Sequence, residues 1–94
     1  MTTYVIVAYD ISDNGRRSEA AERLKGLGFA RIQRSLYIAR GGAALAKDAY
    51  RALLRVIDRS TDSVFVAVIP SESFEKALTC GLQSNIGEER SRVL

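Results

Sequence analysis

Histidine is absent from the 94 residues, and Cys80 is the only cysteine. Without imidazole or a second thiol, one chain cannot assemble a Ser-His-Asp or Cys-His nucleophilic site, a histidine general base or a Cys/His zinc site. Chemistry carried by this sequence has to run on carboxylates, hydroxyls, arginine, lysine or a bound ion. A lone thiol excludes an internal disulfide scaffold and points to a reducing compartment. There is one proline and no glycine-rich phosphate loop, so neither a linker nor a nucleotide cradle is marked. Met1-Thr2-Thr3 carries no basic n-region, and the longest apolar run is far short of a membrane span. The expectation is a cytoplasmic protein with no membrane contact.

What is present describes one folded domain over residues 1–94, with 47% hydrophobic and 27% charged residues. A domain this small leaves a large share of its surface exposed, which disfavours a deep private cleft and favours a site shared between subunits. Fourteen Lys and Arg stand against eleven Asp and Glu, for a net charge of +3. Eleven of the cations are arginine and three are lysine. The planar guanidinium suits phosphate better than an ammonium point charge does. A plain preference for arginine would give the same composition.

Tyr4-Val5-Ile6-Val7-Ala8-Tyr9 is apolar on both faces and rich in β-branched and aromatic residues, which predicts a covered central strand ending at Asp10. Ser12 and Asp13 offer helix N-caps. Ala20, Ala21, Leu24 and Leu27 then recur at helical spacing until Gly28 supplies a stop. Phe29 to Arg40 reads as strand, with Ile32, Leu36 and Ile38 on one face and Arg31, Gln33, Ser35, Tyr37 and Ala39 on the other. A second helix follows to about Asp58 on Leu45, Ala49, Leu53, Val56 and Ile57, then a polar turn, Arg59-Ser60-Thr61-Asp62. Ser63 to Ile69 is a second strand apolar on both faces, stopped by Pro70. Phe74 to Leu82 could form a short strand or a helical turn, and Gln83 to Arg92 a polar tail. This order predicts a ferredoxin-like α+β sandwich, βαββαβ, with the first and last strands side by side in the middle of the sheet.

Both helices of such a sandwich cover one face of the sheet. The two-sided strands would leave an apolar patch on the other, and a second copy of the same sheet is the economical cover, giving a homodimer. A tail folded back over its own sheet is the alternative. Phe74, Ala77, Leu78 and Leu82 are expected to find little core in their own subunit, so residues 71–94 are expected to help hold the dimer.

Asp10, where the first buried strand leaves the core, is the candidate catalytic and metal residue, since a hard carboxylate there suits Mg²⁺. A turn or cap role is the alternative, and one carboxylate needs substrate phosphates or a second Asp10 across a dimer axis. The candidate nucleic-acid contacts are Arg16 and Arg17 at the start of helix one, Arg31 and Arg34 on the next strand, and Lys47, Arg51 and Arg55 at i, i+4 and i+8 on helix two. Cations spaced about a helical turn apart can follow a phosphate backbone without reading bases, although solvated helix faces carry such rows too.

Val5-Ile6-Val7-Ala8-Tyr9-Asp10-Ile11-Ser12-Asp13 with Arg16-Arg17, followed by Gly28-Phe29-Ala30-Arg31-Ile32-Gln33-Arg34-Ser35-Leu36-Tyr37, resembles the signature of the CRISPR-associated protein two family. This family is the small ferredoxin-like component of CRISPR spacer acquisition, and the similarity runs through Pro70. The resemblance implies a symmetric dimer whose C-terminal segment pairs with the partner's sheet. It also implies an Asp10 from each subunit on Mg²⁺ for phosphodiester cleavage, and an integrase subunit as partner. Tyr9, one of Arg16 and Arg17, Arg31 and Ser35 match the family, with Tyr9, Ser35 and Tyr37 in supporting roles. Tyr37 stands where the family often has Phe, and Glu19 where it often has a further arginine.

Three functions follow. One is a Mg²⁺-dependent endonuclease on RNA or DNA, in which paired Asp10 carboxylates hold the metal and Arg17 or Arg31 neutralises charge in the transition state. The second is a non-catalytic adaptor that presents duplex DNA to the integrase through its arginines. The third, from fold analogy, is a ligand-binding or regulatory module. Dimeric nucleic-acid binding is common to the first two.

Overall fold

The computed structural model describes residues 2–82. The chain runs β1 (Thr3–Asp10), α1 (Asn14–Gly26), β2 (Ala30–Gln33), β3 (Leu36–Arg40), α2 (Ala43–Leu54), β4 (Ser63–Pro70) and α3 (Ser71–Glu75). The four strands form one sheet in the order β2-β3-β1-β4, every neighbouring pair antiparallel. This is the ferredoxin-like α+β arrangement expected from the sequence. Among the described residues no helix is long and apolar enough to cross a membrane.

Strand alternation divides the core into two. Val5, Val7 and Tyr9 of β1, with Tyr37 and Ala39 of β3, pack against Ala20 and Leu24 of α1 and Ala49 and Leu53 of α2. Tyr4 and Ile38 point to the other side of the sheet, where they meet Phe74 of α3. The Tyr4 and Phe74 ring centroids lie 5.0 Å apart.

Four expectations are corrected. First, β4 lies beside β1 but at the edge of the sheet, and the middle strands are β1 and β3. Two-sided apolarity does not distinguish a covered centre from an edge awaiting a cover. Second, the stretch from Phe29 to Arg40 is a hairpin, β2 and β3 separated by Arg34 and Ser35, with a register shift between Arg31 and Gln33. Third, α2 stops at Leu54: the amides of Val56 and Ile57 both turn back to the Leu53 carbonyl, so these two side chains reach the core from a turn. Fourth, Phe74 does find core in its own subunit and is 9% exposed, whereas Leu78 and Leu82 stand out at 97% and 99%. The polar tail expected over Gln83–Arg92 lies outside the described residues.

Helix α1 is capped at its start by Asp13, whose carboxylate accepts from the Arg16 amide at 3.0 Å. At its end Gly28 has φ +94°, and a Cβ built there meets nothing within 4 Å, so only backbone strain resists a side chain. Gly28→Ala is therefore expected to cost about 1–2 kcal/mol in urea unfolding, with an unchanged m-value. A neutral substitution would remove the left-handed stop from this account.

Candidate nucleic-acid interface

Asp10 ends β1 opposite Ser63 of β4 and is exposed. Alternation places it with Ile6 and Ala8, on the face turned away from α1 and α2. On that face Ala67 pairs with Ile6, and both Leu36 and Phe65 pair with Ala8. Phe74 covers the end of the face near Tyr4, but toward Asp10 no described residue continues the cover and Phe65 is 63% exposed. Among the described residues no group of three or more His, Cys, Asp or Glu could hold a metal ion. Asp10 alone fits Mg²⁺ only when a phosphate or a second copy adds oxygens.

Asp62, which sequence reasoning passed over as part of a polar turn, is the most heavily bonded side chain nearby. Its carboxylate is 0% exposed and accepts from the Ser12 amide at 3.0 Å, the Asp58 amide at 2.9 Å, the Thr61 hydroxyl at 3.0 Å and Arg16 Nε at 2.9 Å. The Arg16 bond, ahead of the Asp58 amide, holds the Asp62 carboxyl far below the usual carboxylate range. The same bond raises the Arg16 guanidinium above its ordinary value. Asp62 therefore ties the loop after Asp10 to the turn before β4. Arg16 is committed to this knot and is a positioning residue for the loop before it is a phosphate contact. The one sequence signal was an acid placed directly before an apolar strand. Ser12, expected as a cap, joins this knot instead.

The other arginines separate by location. Arg17 on α1, Arg31 on β2 and Arg34 in the hairpin turn surround a cavity of about 190 Å³ floored by Tyr9 and Tyr37. Nη1 of Arg17 donates to the Ile11 carbonyl at 2.7 Å, which fixes one guanidinium at the rim. The tyrosine rings stack with centroids 5.8 Å apart and the hydroxyls 3.5 Å apart. Burial, then the hydrogen bond to Tyr37, pushes the Tyr9 hydroxyl pKa well above its ordinary value, so Tyr9 stays a neutral phenol at neutral pH. Ser35 joins the cavity wall, and its carbonyl accepts from the Tyr9 amide at 3.1 Å.

Arg31 pairs with Tyr37 and so shares the helix-covered side of the sheet, while Asp10 belongs to the opposite side. Within one chain the structure gathers Tyr9, Arg17, Arg31, Arg34, Ser35 and Tyr37, and leaves Asp10 across the sheet from them. Lys47, Arg51 and Arg55 are all exposed, and Lys47 borders a hollow with Phe65 against β4, at the other edge of the sheet from β2. Arg51 has Asp48 at 3.7 Å. Glu19 forms an ion pair with Arg23 at 2.9 Å on the exposed face of α1.

An antiparallel β2-β3-β1-β4 sheet with two helices on one face and arginines around a tyrosine-floored hollow defines a small ferredoxin-like α+β protein with an arginine-rich rim. The profile of the family described as CRISPR associated protein Cas2 matches residues 1–77. A protein of Aeropyrum pernix named CRISPR-associated endoribonuclease Cas2 is 51% identical over 78 residues, which cover 83% of this chain and 85% of that one. A Thermoproteus tenax protein named CRISPR-associated endonuclease Cas1/endonuclease Cas2 fusion is 35% identical over 75 residues, 80% of this chain and 28% of that one. In fold, the crystal structure of Streptococcus pyogenes Cas2 superposes with a TM-score of 0.70 over 83% of this chain and 99% of that one, at 23% identity. The chain belongs to the CRISPR-associated Cas2 family.

Proposed function

We propose that the protein acts in CRISPR spacer acquisition as a homodimer that holds nucleic acid by its phosphates. The observation that carries this reading is the cluster of Arg17, Arg31 and Arg34 around one cavity with no carboxylate in its lining. Among the described residues no carboxylate is paired with these three guanidiniums, so they form a positive surface suited to an external phosphate. The dimer is supported by the apolar surface around Phe65 and Ala8 and by the outer edge of β4, both left uncovered by the described residues; such a row of backbone groups is seldom left bare in isolated proteins. The name of the Thermoproteus tenax relative, a fusion with Cas1, supports a Cas1-type integrase as the partner.

Endonucleolytic cleavage is a second reading, favoured by the exposed Asp10 carboxylate at the end of the uncovered face. Two copies covering that face would bring two Asp10 carboxylates toward one another. Mg²⁺ bound there with a phosphate would supply charge neutralisation and a more acidic water. Asp10 would hold the ion, and the arginines would hold and orient the strand.

The test of nucleic-acid binding is its salt dependence. Log affinity for a duplex falls linearly with log salt, with a slope of about 0.9 per phosphate neutralised. The Arg17→Gln/Arg31→Gln/Arg34→Gln protein should show a slope smaller by about 2–3 for each chain engaged, with the wild-type indifference to base sequence retained. Arg16 is left intact in this design because its loss would also disturb the Asp62 knot. An unchanged slope would move the binding surface to Lys47, Arg51 and Arg55.

A further inference from the structure

We propose that the cavity between Tyr9, Tyr37 and the three arginines is a receptor for a phosphate monoester, the terminal phosphate of a nucleic-acid strand. This rests on the nucleic-acid-binding reading and deepens it: the same arginine cavity takes a strand end in preference to a continuous backbone.

The first argument is proton bookkeeping. Tyr37 is 1% exposed and Tyr9 is 8% exposed, their hydroxyls lie 3.5 Å apart, and both residues line the cavity. Two phenols carry two protons, and one O–H···O contact uses a single one. Among the described residues no other hydrogen bond involves either hydroxyl. One buried phenol proton is thus left without an acceptor among the described residues, on a pair of rings that line the cavity, and buried polar groups that stay unmatched call for an acceptor.

Charge is the second argument. Arg17 and Arg31 lie near enough to Tyr9 to favour negative charge there, and Arg34 completes the ring from the hairpin turn. No carboxylate among the described residues is paired with Arg31 or Arg34. Three guanidiniums and a phenol match the dianionic charge and the three outer oxygens of a monoester. A backbone diester presents one charge and two outer oxygens, and its chain has to leave in two directions.

Size and position agree. At about 190 Å³ the cavity lies below the roughly 300–1,000 Å³ of sites that enclose a whole small molecule, so it admits a phosphate group and leaves the attached sugar at the mouth. The walls are α1 on one side and β2 with its turn on the other, on the side of the sheet facing away from Asp10. A strand end seated there would not place its terminal phosphate on Asp10 of the same chain.

The experiment compares closed circular duplex, which has no ends, with linear strands of one sequence ending in 5′-phosphate, 3′-phosphate or hydroxyl, at fixed salt. Inorganic phosphate serves as competitor. Wild type is expected to bind a phosphorylated end about tenfold or more tightly than a hydroxyl end. That advantage should be lost on adding inorganic phosphate and in Tyr37→Phe, which keeps the ring and removes the hydroxyl. It should also be lost in Arg34→Gln, which sits on an exposed turn and leaves the core untouched. Circular duplex serves as the reference for each variant, so that a loss specific to phosphorylated ends is read apart from any change in binding along the backbone. If circular duplex binds and a terminal phosphate adds nothing, the end site is wrong while the nucleic-acid reading stands. Should phosphorylated ends bind and circular duplex fail to, the end site stands and the backbone reading falls. Binding of neither overturns both.

Discussion

Asp62→Asn is expected to lower the midpoint of thermal unfolding by roughly 10–20 °C, the scale for breaking a buried ionic cluster in a domain this small. The substitution is nearly isosteric, so the loss comes from charge and donor arithmetic. Oδ2 accepts from Arg16 Nε and the Asp58 amide, and Oδ1 from the Ser12 amide and the Thr61 hydroxyl. Whichever oxygen becomes an NH₂, it faces a backbone N–H that has no other partner within the knot, and Arg16 loses its counter-charge. The wild-type carboxyl is depressed in the folded state, so between its folded value and the ordinary unfolded value of about 3.9 the native protein binds fewer protons than the unfolded chain. Its contribution is therefore complete above that ordinary value and is lost as pH falls toward the folded one. Calorimetry from neutral pH downward should show a steep acid decline in wild type and a flatter one in Asp62→Asn. A variant that melts within a few degrees of wild type along a parallel acid limb would show that the knot does not hold the loop.

This knot also marks where sequence reasoning stopped. Ser12 and Asp62 are 50 positions apart, and neither residue type nor spacing joins them. By contrast β1, α1 and β4 were legible because one short-range rule decides each: two-sided β-branched runs for the strands, and the Leu24 spacing with the Asp13 cap for the helix. The β2–β3 pair was implied by the βαββαβ order, but the position of its turn was hidden because Ile32, Leu36 and Ile38 stay in phase across Arg34 and Ser35, so a period of two shows no break. Val56 and Ile57 continued the helical stripe past Leu54 for a similar reason: they reach the same core from a turn. The site divided in the same way. That Tyr9, Arg31, Ser35 and Tyr37 belong together came from the motif, and the sheet register then explains it. That Asp10 falls on the opposite face follows from parity alone, and could have been read from the single-residue step between Tyr9 and Asp10.

That parity frames the second large effect. Asp10→Asn is expected to reduce Mg²⁺-dependent cleavage of RNA or DNA at least about a hundredfold, since loss of an anionic ligand removes several kcal/mol of charge stabilisation and each factor of ten corresponds to 1.36. No histidine exists in the chain to supply a base instead. Duplex affinity should stay equal or rise slightly, because a negative charge near phosphate is gone. Since Asp10 stands at the edge of an apolar face that the described residues leave uncovered, cleavage should also depend on two copies meeting. Below the dimer dissociation constant the rate should fall faster than linearly with protein concentration, in step with the dimer fraction seen by sedimentation. Excess Asp10→Asn chain mixed into wild type should depress cleavage below simple dilution, because mixed dimers carry a single Asp10. Cleavage proportional to wild-type chain at every mixing ratio would assign the reaction to one subunit and overturn the paired-carboxylate site. Wild type that cuts nothing in Mg²⁺ or Mn²⁺, yet binds duplex as the arginines require, would establish the adaptor. Asp10 would then be a strand-end residue whose charge only weakens the grip on DNA, and Asp10→Asn would tighten it.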